Sequence, residues 1–304
     1  MEDRNRMKIL IAYDGSDGAE SAIDDLKRAG LPRRAEAVVL TIVEELIPMP
    51  ASFGGVDTTF AKSLLEEGKD SLALAGRARS RIQKLFPGWE ILAEAGIGSA
   101  GSEIIAMADE WRPDLIVVGS YGRTALGRMF FGSVSQKVIN EARCSVRVAR
   151  GRIVEPDVPA RIIVGVDGSE EAEAAVEEIA SRDWPDGSEV RIVNSAWTIP
   201  PASDPGTAVN YAEWIAQETE RVKKAAEGAA EKLGSAGLKV SIVVKEQEPK
   251  ALLCSEAEDL MADCIFVGAR GMGRLERFLI GSVSLGVAAR AHCSVEVVRT
   301  ENKA

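Results

Sequence analysis

The sequence predicts an α/β protein of two tandem, doubly wound domains, each a five-stranded, mostly parallel sheet with helices on both faces. Three observations lead there. The chain of 304 residues exceeds the usual size of one domain, so two domains of about 150 residues are expected. Apolar, strand-like runs alternate with helix-periodic stretches four times and end in a closing strand, the order that builds a parallel sheet. The pattern then starts again: Asp14 and Asp167 end the first strand of either half, 153 residues apart, and Gly132 and Gly281 stand 149 apart. Domain 1 is expected over residues 1–152 and domain 2 over 158–304. The linker near 151–160, GRIVEPDVPA, has two prolines and no helical period.

In the first half, residues 8–13 (KILIAY) read as a buried strand, being almost wholly apolar without alternation. A helix is predicted over 17–29, with Ala19, Ala22, Ile23, Leu26 and Ala29 on one face and Asp17 with Glu20 as a capping box. Residues 37–43 (AVVLTIV) form the second strand. The loop over 46–57 is longer than most connections in a compact domain, which makes it a candidate lid. A long amphipathic helix over 59–85 breaks at Pro87-Gly88. A strand over 89–95 and a helix over 99–111 follow, and Pro113-Asp114 opens the fourth strand. A helix over 133–141 and a short strand over 145–149 close the half.

The second half repeats this grammar. Strands are predicted over 161–166, 189–196, 239–245, from 264, and over 294–299. Helices are predicted over 172–182, 211–233 and 250–261, with a second Pro-rich loop over 197–208. The terminal strands, 145–149 and 294–299, are the expected contact edges of an internal pseudo-dimer, since an uncovered edge invites pairing. Pairing of whole chains into a homodimer is left open.

The fourth strand of each half leads into the same glycine frame. LIVVGSYGRTALGRMFFGSVS carries Gly119, Gly122, Gly132 and Ser133; CIFVGARGMGRLERFLIGSVS carries Gly268, Gly271, Gly281 and Ser282. Glycines at a strand end and in the following turn allow backbone to approach a ligand, and Gly-Ser at a helix start presents N–H groups and the helix dipole to an anion. The spacing therefore reads as a phosphate cradle. A loop that only closes the fold is the plainer alternative for one copy, and the identical frame in both halves weighs against it.

Composition excludes several classes. With 46% hydrophobic and 28% charged residues the chain reads as globular and soluble, and a net charge of −10 argues against a nucleic-acid or anionic-membrane binder. No stretch reaches membrane-spanning length and the N-terminus lacks a signal-peptide pattern, so a cytoplasmic location is expected. Cys144, Cys254, Cys264 and Cys293 include no CxxC pair and read as buried small hydrophobes. No Walker lysine follows Gly132-Ser133 or Gly281-Ser282, GxGxxG is absent from the first turn, and His292 is the one histidine. No metal site and no catalytic residue is expected.

Asp14 with Gly119-x2-Gly122-x9-Gly132-Ser133, and Asp167 with Gly268-x2-Gly271-x9-Gly281-Ser282, resemble the ATP-binding branch of the universal stress protein (UspA) family in tandem form. The resemblance covers essentially the whole chain. It implies a fold like that of the adenine nucleotide alpha hydrolases, with strand order 3-2-1-4-5 in each domain and adenine nucleotide bound beyond strands one and four. By the same resemblance, Asp14 and Asp167 lie at the nucleoside. Ile42, and in the second half Ser195, hold the position whose backbone meets adenine. Gly119, Gly122, Gly132, Ser133, Val134 and Ser135 would form the ribose- and phosphate-binding loop, as would Gly268, Gly271, Gly281, Ser282, Val283 and Ser284. Arg128 and Arg277 stand at matching places and read equally as phosphate-neutralising groups or as plain exposed arginines; Arg123 is replaced by Met272, and Gly127 by Glu276, so the two sites differ in charge.

The function expected is a nucleotide-dependent regulatory module of the stress response, binding ATP with or without Mg²⁺. The alternative is a slow ATPase, or a phosphoryl or nucleotidyl transferase, using the same pockets. Lack of a paired base and of a Walker lysine favours the binder.

Overall fold

The structure, a computed structural model, describes residues 6–44, 58–121, 131–150, 158–196, 208–271 and 280–300; the side chains of 58–65, 208–216, 218 and 219 lie outside that description. The chain divides into two compact units: Met1–Asp24 with Pro32–Ala149, and Asp25–Leu31 with Arg150–Ala304.

In unit 1, β1 (Met7–Ala12), β2 (Ala35–Val43), β3 (Glu90–Ile97), β4 (Leu115–Gly119) and β5 (Ser145–Ala149) run in the order β3-β2-β1-β4-β5. All four pairings are parallel. Ile9, Leu10, Ile11, Ile116 and Val117 are fully buried, which is why these strands read as unbroken apolar runs: both faces of a parallel sheet are covered. The helices are α1 (Asp17–Asp25), α2 (Thr58–Leu85), α3 (Ala100–Trp111) and α4 (Ser133–Glu141). α2 buries Ala75, Ala78 and Ile82 and packs on β2 and β3, while α3 lies beside α4.

Local details depart from the sequence reading. The predicted helix over 17–29 ends at Asp25 and gives way to a single 3-10 turn, Leu26–Arg28. The capping box does not form. Ser16 is the cap, its Oγ accepting from Ala19 N at 3.2 Å, and Glu20 instead meets the Tyr13 hydroxyl and Arg81. A serine one position earlier reaches the orphan N–H, which frees Glu20 for charge pairing across to α2. β3 extends past the predicted end at residue 95, because its pairing with β2 continues through Ile42 opposite Gly96 and Val43 opposite Ile97.

In unit 2, β6 (Arg161–Gly165), β7 (Glu189–Ser195), β8 (Lys239–Lys245), β9 (Cys264–Gly268) and β10 (Ser294–Val298) take the order β8-β7-β6-β9-β10, again parallel throughout. α5 (Glu170–Ala180) packs beside α6 (Ala208–Ser235), and α7 (Pro249–Leu260) beside α8 (Ser282–Arg290). Its core gathers Ile162, Ile179, Ile192, Leu233 and Phe266. Of the four cysteines, Cys264 and Cys293 are buried as expected, whereas Cys144 and Cys254 are only half-buried. In both units the first strand lies between the second and the fourth. Strand order therefore reverses there, the place where open α/β sheets leave a crevice at the carboxyl ends. No described helix is long and apolar enough to cross a membrane.

Candidate functional site

Unit 1 has a cavity of about 780 Å³ at the carboxyl ends of β1, β2 and β4, well within the range of small-molecule sites. Asp14, Ile42, Gly119, Gly132, Ser133, Val134 and Ser135 all line it. Seven residues chosen from three separate parts of the sequence thus meet around one space.

Each wall follows from local chemistry. β1 stops when Tyr13 N donates to Leu40 O at 2.9 Å and the chain turns. Asp14 shapes the turn: its Oδ1 accepts from Ser16 N at 3.0 Å, an Asx turn that Gly15 completes at φ 75°. At the end of β2, Ile42 stands opposite Gly96, where a Cβ would lie 2.8 Å from Ile42 Cδ1. Gly96 therefore makes room for Ile42, a role that nothing in the glycine frame announced.

The frame itself is pinned by the protein before any ligand arrives. Gly132 N donates to Ser120 O at 2.9 Å, closing the base of the loop, and Ser135 Oγ donates to Gly119 O at 2.6 Å. Gly132 is the N-cap of α4 and has no side chain to offer, so the first-turn N–H groups of Ser133, Val134 and Ser135 have no intrahelical acceptor. Those three residues border the cavity, and the positive end of α4 goes with them. Gly119 has a different reason to be glycine from the one expected. A Cβ there would lie 2.7 Å from the carbonyl carbon of Gly18, so the space goes to the first turn of α1 rather than to a ligand.

Other lining residues were not singled out by sequence. Leu40, Val43, Leu74 and Ile104 give an apolar wall; Tyr13 and Tyr121 flank the turn. Glu44, Glu67 and Asp70 add negative charge, and Arg77 adds positive. The α2 contributions were hidden because exposed charges on a long helix read as a solvated face. Gly122, Arg123 and Arg128 lie outside the described residues, as do the lid loop over 46–57 and the one over 197–208 up to the start of α6.

Unit 2 repeats the frame with different surroundings. Gly281 N donates to Ala269 O at 2.7 Å, Ser284 Oγ to Gly268 O at 2.6 Å, and Gly281 caps α8 ahead of Ser282 and Val283. Asp167 Oδ1 accepts from both Ser169 N, at 3.0 Å, and Ser169 Oγ, at 2.6 Å. The predicted adenine-side residue Ser195 turns its hydroxyl to Gln247 O at 2.6 Å. Where Gly18 faces Tyr121 in unit 1, Glu171 pairs with Arg270 in unit 2. Arg277, Met272 and Glu276 lie outside the described residues, and Gly271 lies against the Asp167 carboxylate.

Two parallel doubly wound units, each reversing its strand order beside the first strand and opening its last helix with a glycine frame, define a tandem α/β protein. The model of the universal stress protein family matches residues 5–150 and again 160–299. The chain belongs to the universal stress protein family and carries its domain twice, and a general role in the stress response goes with that membership.

A protein of Staphylococcus epidermidis named for the universal stress family is 36% identical over 146 residues, covering 46% of this chain and 84% of that protein. A universal stress protein of Methanocaldococcus jannaschii is 32% identical over 149 residues, 47% of this chain and 81% of the relative. Among solved structures, a universal stress protein of Archaeoglobus fulgidus superposes over 98% of this chain and 97% of its own, with a TM-score of 0.63 at 19% identity. A Pseudomonas aeruginosa protein of unknown function superposes over 98% and 94%, with a TM-score of 0.60 at 14% identity. At such identities the last two speak for the fold alone.

Proposed function

We propose that the unit 1 cavity binds an adenine nucleotide, ATP with or without Mg²⁺, and that occupancy makes the chain a nucleotide-dependent regulatory module of the stress response. The observation that carries the reading is the cavity itself: Asp14, Ile42 and the Gly132–Ser135 turn border one space of about 780 Å³. The residues present fit the ligand. Ile42, Val43, Leu74 and Ile104 suit the faces of a base, and Asp14 is an acceptor for ribose hydroxyls. The N–H groups of Ser133, Val134 and Ser135 at the start of α4 suit a phosphate. In such a module the bound ligand acts by favouring one arrangement of the segments around it.

The test is equilibrium binding of ATP to the purified chain by calorimetry, beside Asp14→Ala and Ser133→Pro, the latter removing one of the three N–H groups at a helix position that tolerates proline. Loss of roughly tenfold or more in affinity for each is expected, each tenfold being about 1.4 kcal/mol. Unchanged binding by both variants would overturn the assignment. We take the module to be a binder rather than an enzyme; phosphate release from ATP at several turnovers per minute, lost in Asp14→Asn, would favour the ATPase or transferase instead.

A further inference from the structure

The two glycine frames are alike, but the turns that face them are not. In unit 2 the guanidinium of Arg221, from α6, lies against the turn that follows β6. Its Nη2 donates to Asp167 O at 2.8 Å and its Nη1 to Gly168 O at 3.1 Å. The approach is close: a Cβ on Gly168 would sit 2.6 Å from Arg221 Nη1. The Asp167 carboxylate is engaged as well. Ser169 takes its Oδ1 twice, and its Oδ2 lies 2.6 Å from where a Cβ on Gly271 would be.

The matching residue in unit 1 follows from the helices. Ala75, Ala78 and Ile82 are the buried stripe of α2, and Ala226, Ala229 and Leu233 that of α6, each pair 151 residues apart. The next layer agrees, for Arg81 pairs with Glu20 and Asp24 while Lys232, 151 later, pairs with Glu173 and Glu177. The same step takes Asp70 to Arg221. Asp70 lines the cavity that Asp14 lines in unit 1, and Arg221 bonds the Asp167 carbonyl in unit 2. An ionised carboxylate offers only acceptors and cannot bond the turn's carbonyls, whereas a guanidinium presents a fork of donors that can hold two at once.

We propose that this one helical position decides which glycine frame takes a nucleotide: Asp70 leaves the unit 1 site open, and Arg221 holds the unit 2 site shut as a built-in occupant. The proposal rests on the nucleotide reading above. It makes the chain a one-ligand protein despite its two intact frames, and it makes the arginine, rather than any lost glycine, the reason. A ligand that takes the turn at Asp167 and Gly168 would have to displace both guanidinium bonds.

The full chain is titrated with MgATP by calorimetry and, separately, photolabelled with 8-azido-ATP and mapped by peptide mass spectrometry. Wild type is expected to bind one ATP and to label peptides of unit 1 alone. Arg221→Asp and Arg221→Ala are expected to bind a second equivalent and to label unit 2, while Asp70→Arg weakens the unit 1 site at least tenfold. Thermal melts establish that each variant is folded, and the wild-type labelling pattern tests the proposal without any substitution. Two equal sites in wild type, or one site in folded Arg221 variants, would overturn it. No binding by any of the proteins would instead remove the nucleotide reading on which it stands.

Discussion

A Cβ on Gly268 would lie 2.7 Å from the carbonyl carbon of Glu171, as one on Gly119 would from that of Gly18. Both obstacles are backbone in the first turn of a helix, so neither can swing aside as a side-chain tip could. Gly268→Ala is therefore expected to destabilise unit 2 by about 1–3 kcal/mol, the usual cost of overpacking. Gly228 is the contrast, exposed in α6 with nothing within 4 Å of its would-be Cβ. Gly228→Ala should stabilise by about 0.5–1 kcal/mol, because alanine has the higher helix propensity. Urea unfolding of both variants checks the pair; equal midpoints for the two would show that the close approach carries no energy. The positions of these glycines were legible in the repeated frame, but not their reason. A repeated glycine marks a position without showing whether a ligand or a helix occupies the space beside it.

At the scale of elements, the strands and helices were legible because their signals are periodic and long, whereas the strand order followed from the family resemblance. What escaped was settled by single contacts across the fold. Ser16 capped α1 in place of Asp17, and Glu20 was drawn to Tyr13 and Arg81. α7 gives a sharper case, since its Glu256 is 2% exposed and yet accepts from Arg191 on β7 and Lys245 on β8. Burial pushes the Glu256 carboxyl up, but the hydrogen bonds from Lys245 and Arg191 outweigh it and leave the group below its ordinary value. A depressed folded value stabilises fully above the unfolded one, near about 4.3, and that share fades as pH falls through the folded value. Glu256→Gln should therefore cost about 1.5–3 kcal/mol at pH 7, the range for hydrogen bonds to charged groups. The gap to wild type should narrow as pH falls below the unfolded value of about 4.3, and it closes below the folded value, where both carry a neutral side chain. Urea unfolding at stepped pH measures it, and a gap that stays constant down to pH 3 would rule out the charge as its source.

For the whole molecule, duplication was the plainest thing in the sequence, while inequivalence was legible only as a difference in charge between the two loops. The frame glycines are identical in both halves, whereas the residue that separates them lies in the long helix, 151 positions from its counterpart and without any motif. The structure sets Arg221 against the Asp167 turn and places Asp70 on the cavity that Asp14 lines. If one site fills, the consequence is directional: ligand at 100 times its Kd adds about 2.7 kcal/mol to whatever state binds it, and nothing elsewhere. Hydrogen exchange of the full chain with saturating MgATP should then slow at amides 13–16 and 133–136, where opening requires release of ligand. Amides 167–170 and 282–285 should exchange as before. In Arg221→Asp the second set should slow as well, because the turn at Asp167 has become reachable. Equal slowing of both sets in wild type would mean that the guanidinium yields to ligand at no cost, and the two halves would then be as alike in function as they are in their frame glycines.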